Sequence, residues 1–299
     1  MPKKTLGSIV VHTFPLPAKG FDPLTAPLKD LERHGFPPRP DHIKMPQAAA
    51  KWVNAFSRYS KFKHITPKFK LLPHHHGLNR RTQKGTVGDV NATSENWSGS
   101  VLFIGSGDSF KWISGSWTVP HAYPTTKSTT IASVWLGIDG DGSPDVMQAG
   151  TDTLADGTIW PWFEWFPAYP VGIDNFPVSP GDVIYLLLCA TSSTTAWMSI
   201  GNLTSMQYTN LSFSAPDGTT LVGNCAEAVV ERPGIPSVVL PRYGEVFFDD
   251  TTAWTANGLG FDIGLGTAMF MLADDGVTTI STPTFEGDTD SFKVAYTGP

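Results

Sequence analysis

The stretch TIWPWFEWFP, residues 158–167, alternates in the way that a β-strand does. Successive side chains of a strand point to opposite faces, so Trp162, Glu164 and Phe166 share one face, opposite the other aromatic residues of the run. An acid set among aromatic residues is unusual. It indicates either a buried carboxylate with a partner or the floor of a groove.

Similar short runs continue from Asn96 to the C-terminus, among them TTIASVWLGIDG (129–140) and DVIYLLLCAT (182–191). Glycine, proline, asparagine, aspartate or serine separates these runs at roughly the spacing of hairpins. Such a succession of short strands is typical of an antiparallel sandwich or barrel. The fold class predicted for this part of the chain is therefore all-β.

The charge of the chain is divided between its two parts. Residues 1–85 hold 16 of the 21 lysines and arginines but 4 of the 27 acids, a net charge of +12, and residues 86–299 carry −18. A basic arm often binds nucleic acid, but here the rest of the chain is acidic. We therefore expect the two parts to bind each other, without a nucleic-acid partner.

Two helices and a linker are predicted in the basic part. TAPLKDLERHG (25–35) and PQAAAKWVNAFSRYSKF (46–62) have the apolar spacing of helices, and the second places three aromatic residues on one face. Residues 64–95 are basic, polar and rich in turn residues, which is typical of a linker. No apolar run has the length of a membrane span, and the first residues do not form a clear signal peptide.

Two acids, Glu227 and Glu231, lie four residues apart in CAEAVVERP (225–233). On a strand they face the same side, with Cα atoms about 13 Å apart at roughly 3.3 Å per residue. The residues between them are apolar, so burial would raise the pKa of both carboxyls and suit them to acid–base chemistry in acid. The alternative is an edge strand whose charged face is wet, and the pattern alone leaves both open.

Other kinds of catalytic site have little support. His121 is the only histidine after residue 76, which leaves a serine or cysteine nucleophile without a convincing base. DGDGSPD (139–145) is interpreted as an acidic turn rather than a calcium loop, and His74–His76 as a solvated triplet in the linker. We therefore expect neither a metal nor a cofactor. The two cysteines either stay free or form one bridge.

Eight short motifs in the acidic part occur in one order. They are NWSGSV (96–101), SGSWTVP (114–120), VWLGIDG (134–140), MQAGTD (147–152), WFEWFP (162–167), GD (181–182), IGNLT (200–204) and AEAVVE (226–231). In this order they resemble the glutamic peptidases, the eqolisin family of acid endopeptidases, over about residues 93–299. The resemblance implies an antiparallel, jelly-roll-like (concanavalin-type) β-sandwich with its active site on a concave sheet face.

The resemblance extends to the basic part. ERHGFPPRPD (32–41) and the helix after it look like the prosegment of such enzymes. Residues 1–90 are therefore expected to be a partly helical, basic, inhibitory prosegment with its linker. Residues 91–299 are expected to be the catalytic domain.

The resemblance also implies which residues do the chemistry. Gln148 in MQAGTD and Glu231 in AEAVVE match the catalytic glutamine and glutamate, although Glu227 belongs to the same motif as Glu231. The positions that match cleft or supporting residues are Trp97, Asp152, Trp162, Glu164, Phe166 and Glu227. The glutamate would take a proton from the attacking water, and the neutral glutamine would donate to the developing oxyanion. Phe166 stands where the family commonly has tyrosine.

The function that the resemblance implies is an acid endopeptidase, present as its zymogen, that acts on proteins or peptides. The prosegment is expected to bind its own catalytic domain and to be cut within about residues 70–95 after acidification. A monomeric, extracellular enzyme without a membrane partner is expected. The alternatives are a jelly-roll glycoside hydrolase and a lectin-like carbohydrate-binding protein, because an aromatic face also suits sugars.

Overall fold

The computed structural model describes residues 3–57, 61–82, 90–126 and 130–299. Its helices include α1 (Leu28–Arg33), α2 (Pro46–Ser57) and a short 3-10 helix (Ile263–Leu265). The strands are β1 (Lys3–Leu6), β2 (Ile9–Thr13), β3 (Lys63–His64), β4 (Phe69–Leu71), β5 (Asn91–Ser94), β6 (Trp97–Phe103), β7 (Phe110–Thr118), β8 (Ile131–Asp139), β9 (Val146–Leu154), β10 (Ile159–Phe166), β11 (Val171–Ile173), β12 (Val183–Ser192), β13 (Thr195–Asn202), β14 (Gln207–Ser214), β15 (Cys225–Glu231), β16 (Glu245–Thr255), β17 (Gly260–Asp262), β18 (Thr267–Leu272), β19 (Thr279–Thr284) and β20 (Phe292–Tyr296). Within these described ranges, no helix is long and apolar enough to cross a membrane.

Hydrogen bonds join the strands into one continuous ladder. From end to end the order is β4, β11, β10, β9, β8, β15, β6, β18, β19, β20, β16, β7, β12, β13, β14, β2 and β1. Each pairing along this path is antiparallel, whereas β3 and β5 add parallel partners to β14 and β18. This architecture confirms the antiparallel β-sandwich that the sequence predicted.

The core lies between the two halves of this ladder. In β12 the alternation turns Ile184, Leu186 and Leu188 inward, and β8 turns Val134 and Leu136 toward the same cluster. All five are fully buried. Burying an aliphatic side chain of this size stabilises a fold by about 1.5–3 kcal/mol. The core therefore holds the two layers together and fixes the opposite face of each strand in register.

The N-terminal segment, residues 3–57 and 61–82, packs against the sandwich. Its hairpin β1–β2 extends the ladder at β14, and its strand β4 extends the other end at β11. This segment therefore supplies the outermost strand at both ends of the ladder.

The helices of this segment cover the outer face of β12, β13 and β14. Trp52 and Phe56 of α2 are buried in one cluster with Cys189 and Trp197. The buried Leu31 of α1 belongs to the same cluster. The two predicted helices are present, although α2 is shorter than predicted. Its predicted third aromatic contact, Tyr59, lies outside the described residues.

The predicted linker over residues 64–95 does not hold for its described part. Three short strands, β3, β4 and β5, lie within or at the edge of this range, and residues 72–82 run through a cleft of the sandwich. Strands added to a sheet edge are held by main-chain hydrogen bonds and need no apolar side chains. The composition of this segment therefore resembled that of a linker. Residues 72–82 are called the cleft segment below; residues 83–89 lie outside the described residues.

The two cysteines are both free and buried, so the possible bridge is not formed. Cys189 lies on β12 and Cys225 on β15, in different parts of the ladder. Burial raises the pKa of both thiols. Since the thiolate is the reactive form, neither cysteine is a ready nucleophile in this state.

Candidate active site

Three rows of side chains cross one face of the sheet formed by β6, β15, β8, β9 and β10. The first row contains Trp97, Glu231, Ser133, Asp152 and Trp160. The second contains Gly99, Val229, Trp135, Gly150 and Trp162, and the third contains Val101, Glu227, Gly137, Gln148 and Glu164. Because side chains alternate along each strand, all three rows lie on the same face.

Gln148 brings a donor and a spare acceptor to this face. It is fully buried and donates from Nε2 to Oε2 of Glu164 over 3.2 Å. Its side-chain oxygen has no hydrogen-bond partner in the part of the chain that the structure describes. Glutamine has no ionisable group, so Nε2 remains a donor at any pH.

Glu231 lies at the end of β15 and accepts from three N–H donors. Its Oε2 accepts from the Trp135 indole at 2.9 Å, and its Oε1 accepts from the Gly77 backbone at 2.9 Å and from Asn96 Nδ2 at 3.5 Å. Burial raises the pKa of this carboxyl to about 8, against the opposing effect of His76. The donors thus aim the carboxyl group at the cleft segment, in position to exchange a proton there.

The side chain of Glu227 is buried beside Gln148, away from solvent. It is fully buried, and neither carboxyl oxygen has a hydrogen-bond partner among the described residues. Burial, followed by the carboxyl group of Asp139, raises its pKa well above the usual range, so it is neutral in acid. A Cβ at Gly137 would lie 2.8 Å from Glu227 Oε1 and 3.2 Å from Gln148 Cβ, so glycine allows the two side chains to approach each other.

Aromatic rings form the walls of the cleft. Trp97 and Trp135 are fully buried and meet edge to face, with ring centroids 4.9 Å apart. Trp162 is fully buried in the middle row, and Phe166 is partly buried four residues further along the same strand. These rings give an apolar cleft with a few polar groups at its floor, which is the usual composition of a binding site.

The triplet His74–His76 lies in this cleft, which corrects its interpretation as a solvated triplet. His76 is fully buried and stacks on Trp162, with 3.5 Å between the ring centroids. Its Nδ1 donates to Glu164 and its Nε2 donates to Asp152, both over 2.9 Å. Composition could not reveal this position, because the partners come from strands far away in the sequence.

The two neighbouring histidines extend this contact. His74 donates to Asp152 over 2.7 Å and stacks on Trp160, whereas His75 remains 33% exposed, 3.4 Å from Glu164. Ligand atoms of His74, His76 and Asp152 lie within 4.8 Å of one another, so these residues could hold a metal ion. In this structure the same atoms are paired with one another by hydrogen bonds.

Opposite charges stabilise the His76 contact. Burial opposes the charge of His76, but Asp152 and Glu164 outweigh it and raise the pKa of His76 to about 10. Burial would likewise raise the pKa of Asp152, but His76 and His74 outweigh it and hold this pKa well below its usual range. Ser133 also donates to Asp152, over 2.6 Å. An imidazolium ion therefore bridges two carboxyl groups on an aromatic floor.

The acidic stretch 139–145 anchors the cleft segment and the backbone of residues 222–224. The carboxylate of Asp139 accepts from the backbone N–H groups of residues 222–224 at 2.7–3.0 Å. Asp141 pairs with Arg81 of the cleft segment at 2.7 Å. The prediction of an acidic turn is thus supported, with two of its acids already engaged in protein contacts.

All eight residues expected at the site lie on this face, and the structure adds others. The additional contacts come from Asn96, Ser133, Trp135 and the histidine triplet. Trp135 could have been found from the sequence, because it alternates with Gly137 inside one of the quoted motifs. The triplet carried no such signal.

Comparison with known proteins gives a consistent result. The model of the Peptidase A4 family matches residues 95–296. Scytalidopepsin B of Scytalidium lignicola is 34% identical over 137 residues, 46% of this chain and 51% of that protein, so the chain spans about half the length of this relative. Aspergillopepsin-2 of Aspergillus niger is 30% identical over 227 residues, 68% of this chain and 78% of that protein.

Solved structures show the same similarity. Scytalido-glutamic peptidase, in a crystal structure with a transition state analog inhibitor, has a TM-score of 0.60 and 25% identity, covering 68% of this chain and 98% of that one. Aspergilloglutamic peptidase from Aspergillus niger has a TM-score of 0.51 and 28% identity, covering 56% of this chain and 99% of that one. Sequence and fold therefore give the same assignment.

Proposed function

Because this chain belongs to the peptidase A4 family, the glutamic peptidases, we propose that it is an acid endopeptidase with Gln148 and Glu231 as its catalytic pair. The family match confirms the assignment made from the eight motifs. The roles within the pair are argued below from the geometry of the cleft. Its substrates would be proteins or peptides, and the steps proposed use neither a metal nor a cofactor.

One observation carries this proposal: the cleft already holds a peptide backbone. The N–H of Gly77 lies 2.9 Å from Oε1 of Glu231. A carboxyl group within hydrogen-bond reach of a peptide nitrogen can take a proton from water and later give it to that nitrogen. We therefore assign Glu231 as general base and then general acid.

Gln148 is assigned to the oxyanion. Its Nε2 donates to Glu164 while the cleft segment is in place. With a substrate carbonyl in reach, this donor would turn to the oxygen on which negative charge develops. The unpaired oxygen of Gln148 can accept from the attacking water while Glu231 takes the other proton. A charged donor such as lysine would instead pair with Glu231 and depress its pKa.

The other residues have supporting roles. Asp152 and Glu164 would bind polar groups of a substrate where they now bind His76. Trp97 and Trp162 would form the walls. Phe166, next to the rim, lacks the hydroxyl of the tyrosine common in the family, so we expect it to change substrate preference rather than the chemistry.

We infer that the N-terminal segment is an inhibitory prosegment and that this chain is the zymogen. The cleft segment occupies the face that carries both catalytic candidates, so a substrate has no access to them. Ion pairs join the basic part to the acidic part, including Lys70–Asp174 at 3.0 Å and Arg81–Asp141 at 2.7 Å. The monomeric state and the extracellular location remain predictions from the family resemblance.

The family match does not favour a glycoside hydrolase or a lectin-like protein. A jelly-roll glycanase would place a third acid between Glu227 and Glu231, and here that region holds the buried Val229. Retention also needs two carboxyl groups roughly 5 Å apart that both face the substrate. Glu227 is instead sealed beside Gln148.

An acid digestion with two substrates tests the proposal. The purified chain is incubated at about pH 3.5, near the usual pKa of carboxyl groups, with a denatured protein and with β-glucan. We expect cleavage of the protein, insensitive to pepstatin, and an intact glucan. Glu231→Gln and Gln148→Ala should each lower kcat/KM by about 10²–10⁴. A folded Glu231→Gln chain with natural activity would refute the base, and cleavage of glucan alone would refute the peptidase.

A further inference from the structure

The main chain of the cleft segment is held on both sides of one peptide bond. The Trp97 indole donates to the Gly77 carbonyl over 3.1 Å, and Asn96 Nδ2 donates to the Leu78 carbonyl over 3.1 Å. On the other side, the buried ring of His76 fixes the chain through its two short hydrogen bonds. The bond between His76 and Gly77 is therefore immobilised within the catalytic cleft.

This bond lies between the two catalytic candidates. Its nitrogen, on Gly77, is 2.9 Å from Oε1 of Glu231. On its other side, the ring of His76 donates to Glu164, the carboxyl group that Gln148 also contacts, at 3.2 Å. The leaving nitrogen thus faces the acid, and the side chain of His76, on the acyl side, reaches the carboxyl group that binds the amide donor. A nitrogen that faces its proton donor is positioned as peptide hydrolysis requires.

We propose that this enzyme cuts its own chain between His76 and Gly77, so that the mature catalytic chain begins at Gly77. The proposal rests on the proposed function. It narrows the range in which cleavage is expected to a single bond. It also makes the cleft segment the first substrate of the enzyme as well as its inhibitor.

The atoms of the step balance with water as the only other reactant. Glu231 in its ionised form, which burial keeps a minor fraction at acid pH, takes one proton from a water molecule whose oxygen bonds to the carbonyl carbon of His76. Gln148 stabilises the negative charge that forms on the carbonyl oxygen. Glu231 then gives the proton to the Gly77 nitrogen, and the carbon–nitrogen bond breaks. The products are a carboxyl group on His76 and an amino group on Gly77.

Water and space are available at this bond. A cavity of about 280 Å³ is lined by both residues of the bond together with Asn96, Phe166 and Glu231. It is large enough for several water molecules. The nearest atoms to a Cβ built on Gly77 are 3.9 Å away, so the residue after the bond is not crowded.

Simple dissociation in acid is opposed by the contact between His76 and Asp152. The ring of His76 is held there by two hydrogen bonds of 2.9 Å, to Asp152 and Glu164, and by stacking on Trp162. Strands β1 to β4 and the helices would hold residues 3–57 and 61–76 on the sandwich after the cut. The cut therefore precedes release and leaves two associated fragments.

The test follows full-length protein after acidification to about pH 3.5. Four chains are compared: the natural one, Glu231→Gln, Gly77→Pro and Gly77→Ala. Proline lacks the N–H that binds Glu231, whereas alanine keeps it and has room for its methyl group. Intact mass spectrometry and N-terminal sequencing identify the bond, and a quenched fluorescent peptide reports activity on an external substrate. Cleavage rates are measured at several protein concentrations.

We expect fragments 1–76 and 77–299 from the natural chain and from Gly77→Ala. The half-life of the intact chain should not change with protein concentration. Gly77→Pro should lose cleavage at this bond, and Glu231→Gln should remain whole. A different first cut in an active natural chain, or a half-life that shortens as the protein concentration rises, would overturn the self-cleavage and leave the proposed function standing. Cleavage of Glu231→Gln at this bond would overturn the self-cleavage and also the assignment of Glu231 as base. A natural chain that cuts neither itself nor the external peptide would overturn both.

Discussion

The imidazole of His76 lies flat on the indole of Trp162, with ring centroids 3.5 Å apart and planes 10° from parallel. Its two nitrogens reach Asp152 and Glu164, each at 2.9 Å. One side chain thus engages the aromatic floor and two carboxyl groups, while the N–H of the next residue occupies Glu231. The contact between the cleft segment and the site is concentrated in two consecutive residues.

Removing the His76 ring should open the cleft. His76→Ala loses the stacking and two charge-assisted hydrogen bonds, each of about 1.5–3 kcal/mol. We expect full-length His76→Ala to hydrolyse an external peptide at least about tenfold faster than the natural chain before acid treatment, because its open fraction is larger. The initial rate at about pH 5 checks this, a pH at which exposed carboxyl groups are ionised.

His75→Ala is the matched control for this experiment. His75 is 33% exposed and has only a 3.4 Å contact with Glu164, so its removal should change the rate by less than about threefold. Equal effects of the two substitutions would show that the inhibition does not depend on the buried ring.

The closed cleft should be most stable between about pH 3.8 and 4.5. The pKa of Asp152 is lowered from 3.8 in the closed form, so its contribution is present above that value and is lost as the pH falls. The pKa values of His76 and Glu231 are raised, to about 10 from 6.5 and to about 8 from 4.5. Their contributions are complete below the lower values and are lost as the pH rises. The pH range in which all three contributions are complete is therefore this window.

Hydrogen exchange of residues 72–82 in a Gln148→Ala chain, which cannot cut itself, measures this profile. After correction for intrinsic exchange, protection should rise at least about tenfold from pH 8 to 4.5, since one pKa unit corresponds to about 1.4 kcal/mol. It should fall again in stronger acid, and Asp152→Asn should remove that fall. Protection that drops steadily from pH 7 to 4 would mean that long-range attraction, rather than this contact, controls the cleft.

Glu227 should tolerate a neutral replacement that Glu231 does not. Burial raises its pKa well above the usual range, and it contacts no peptide group among the described residues, whereas Glu231 accepts from the Gly77 N–H. Glu227→Gln keeps its shape and charge state, and we expect kcat/KM within about threefold and a stability change of about 1 kcal/mol or less. Steady-state kinetics at about pH 3.5 compares it with Glu231→Gln. An inactive but folded Glu227→Gln beside an active Glu231→Gln would exchange their roles.

Gly137 should be needed for the arrangement of the pair. An added Cβ would lie 2.8 Å from both Glu227 Oε1 and the Trp135 ring, and 3.2 Å from Gln148. Overpacking of this kind costs about 1–3 kcal/mol. We expect Gly137→Ala to lose that much free energy of unfolding in urea and to lose activity by displacing Gln148.

Gly105→Ala controls for this substitution, because no atom lies within 4 Å of its Cβ position. Its free energy of unfolding should stay within about 0.5 kcal/mol of the natural value. Unchanged stability in Gly137→Ala would mean that the neighbouring side chains adapt at little cost.

The sheet and most of the site could be predicted because their signal is local. Alternation places Glu227 and Glu231 on one face of their strand. The same rule places Gln148 and Asp152 on one face of the strand that holds them. Which strands become neighbours depends on register across distant parts of the chain, so the contact of Glu231 with Trp135 could not be predicted from spacing. Knowing that Gly137 separates Glu227 from Gln148 also required the paired strands.

The cleft segment shows the limit most clearly. Its polar and basic residues have the composition of a solvated linker, and that composition also suits binding to an acidic cleft. Composition reports the properties of the segment and carries no information on the surface that it meets. The buried position of His76 follows from Asp152 and Glu164, which lie 76 and 88 residues further along the chain.

A cysteine on the helix-covered face of β12 can report the proposed loss of the helices. Cys189 points away from the core toward α1 and α2, is 2% exposed and has a pKa raised by burial. Under the proposed maturation the helices leave, and this thiol would then meet solvent and its pKa would return toward the ordinary range. A thiol-reactive dye should therefore label the chain slowly before departure and quickly afterwards. The labelling rate would time the loss of the helices separately from the cut in the backbone, with no engineered probe.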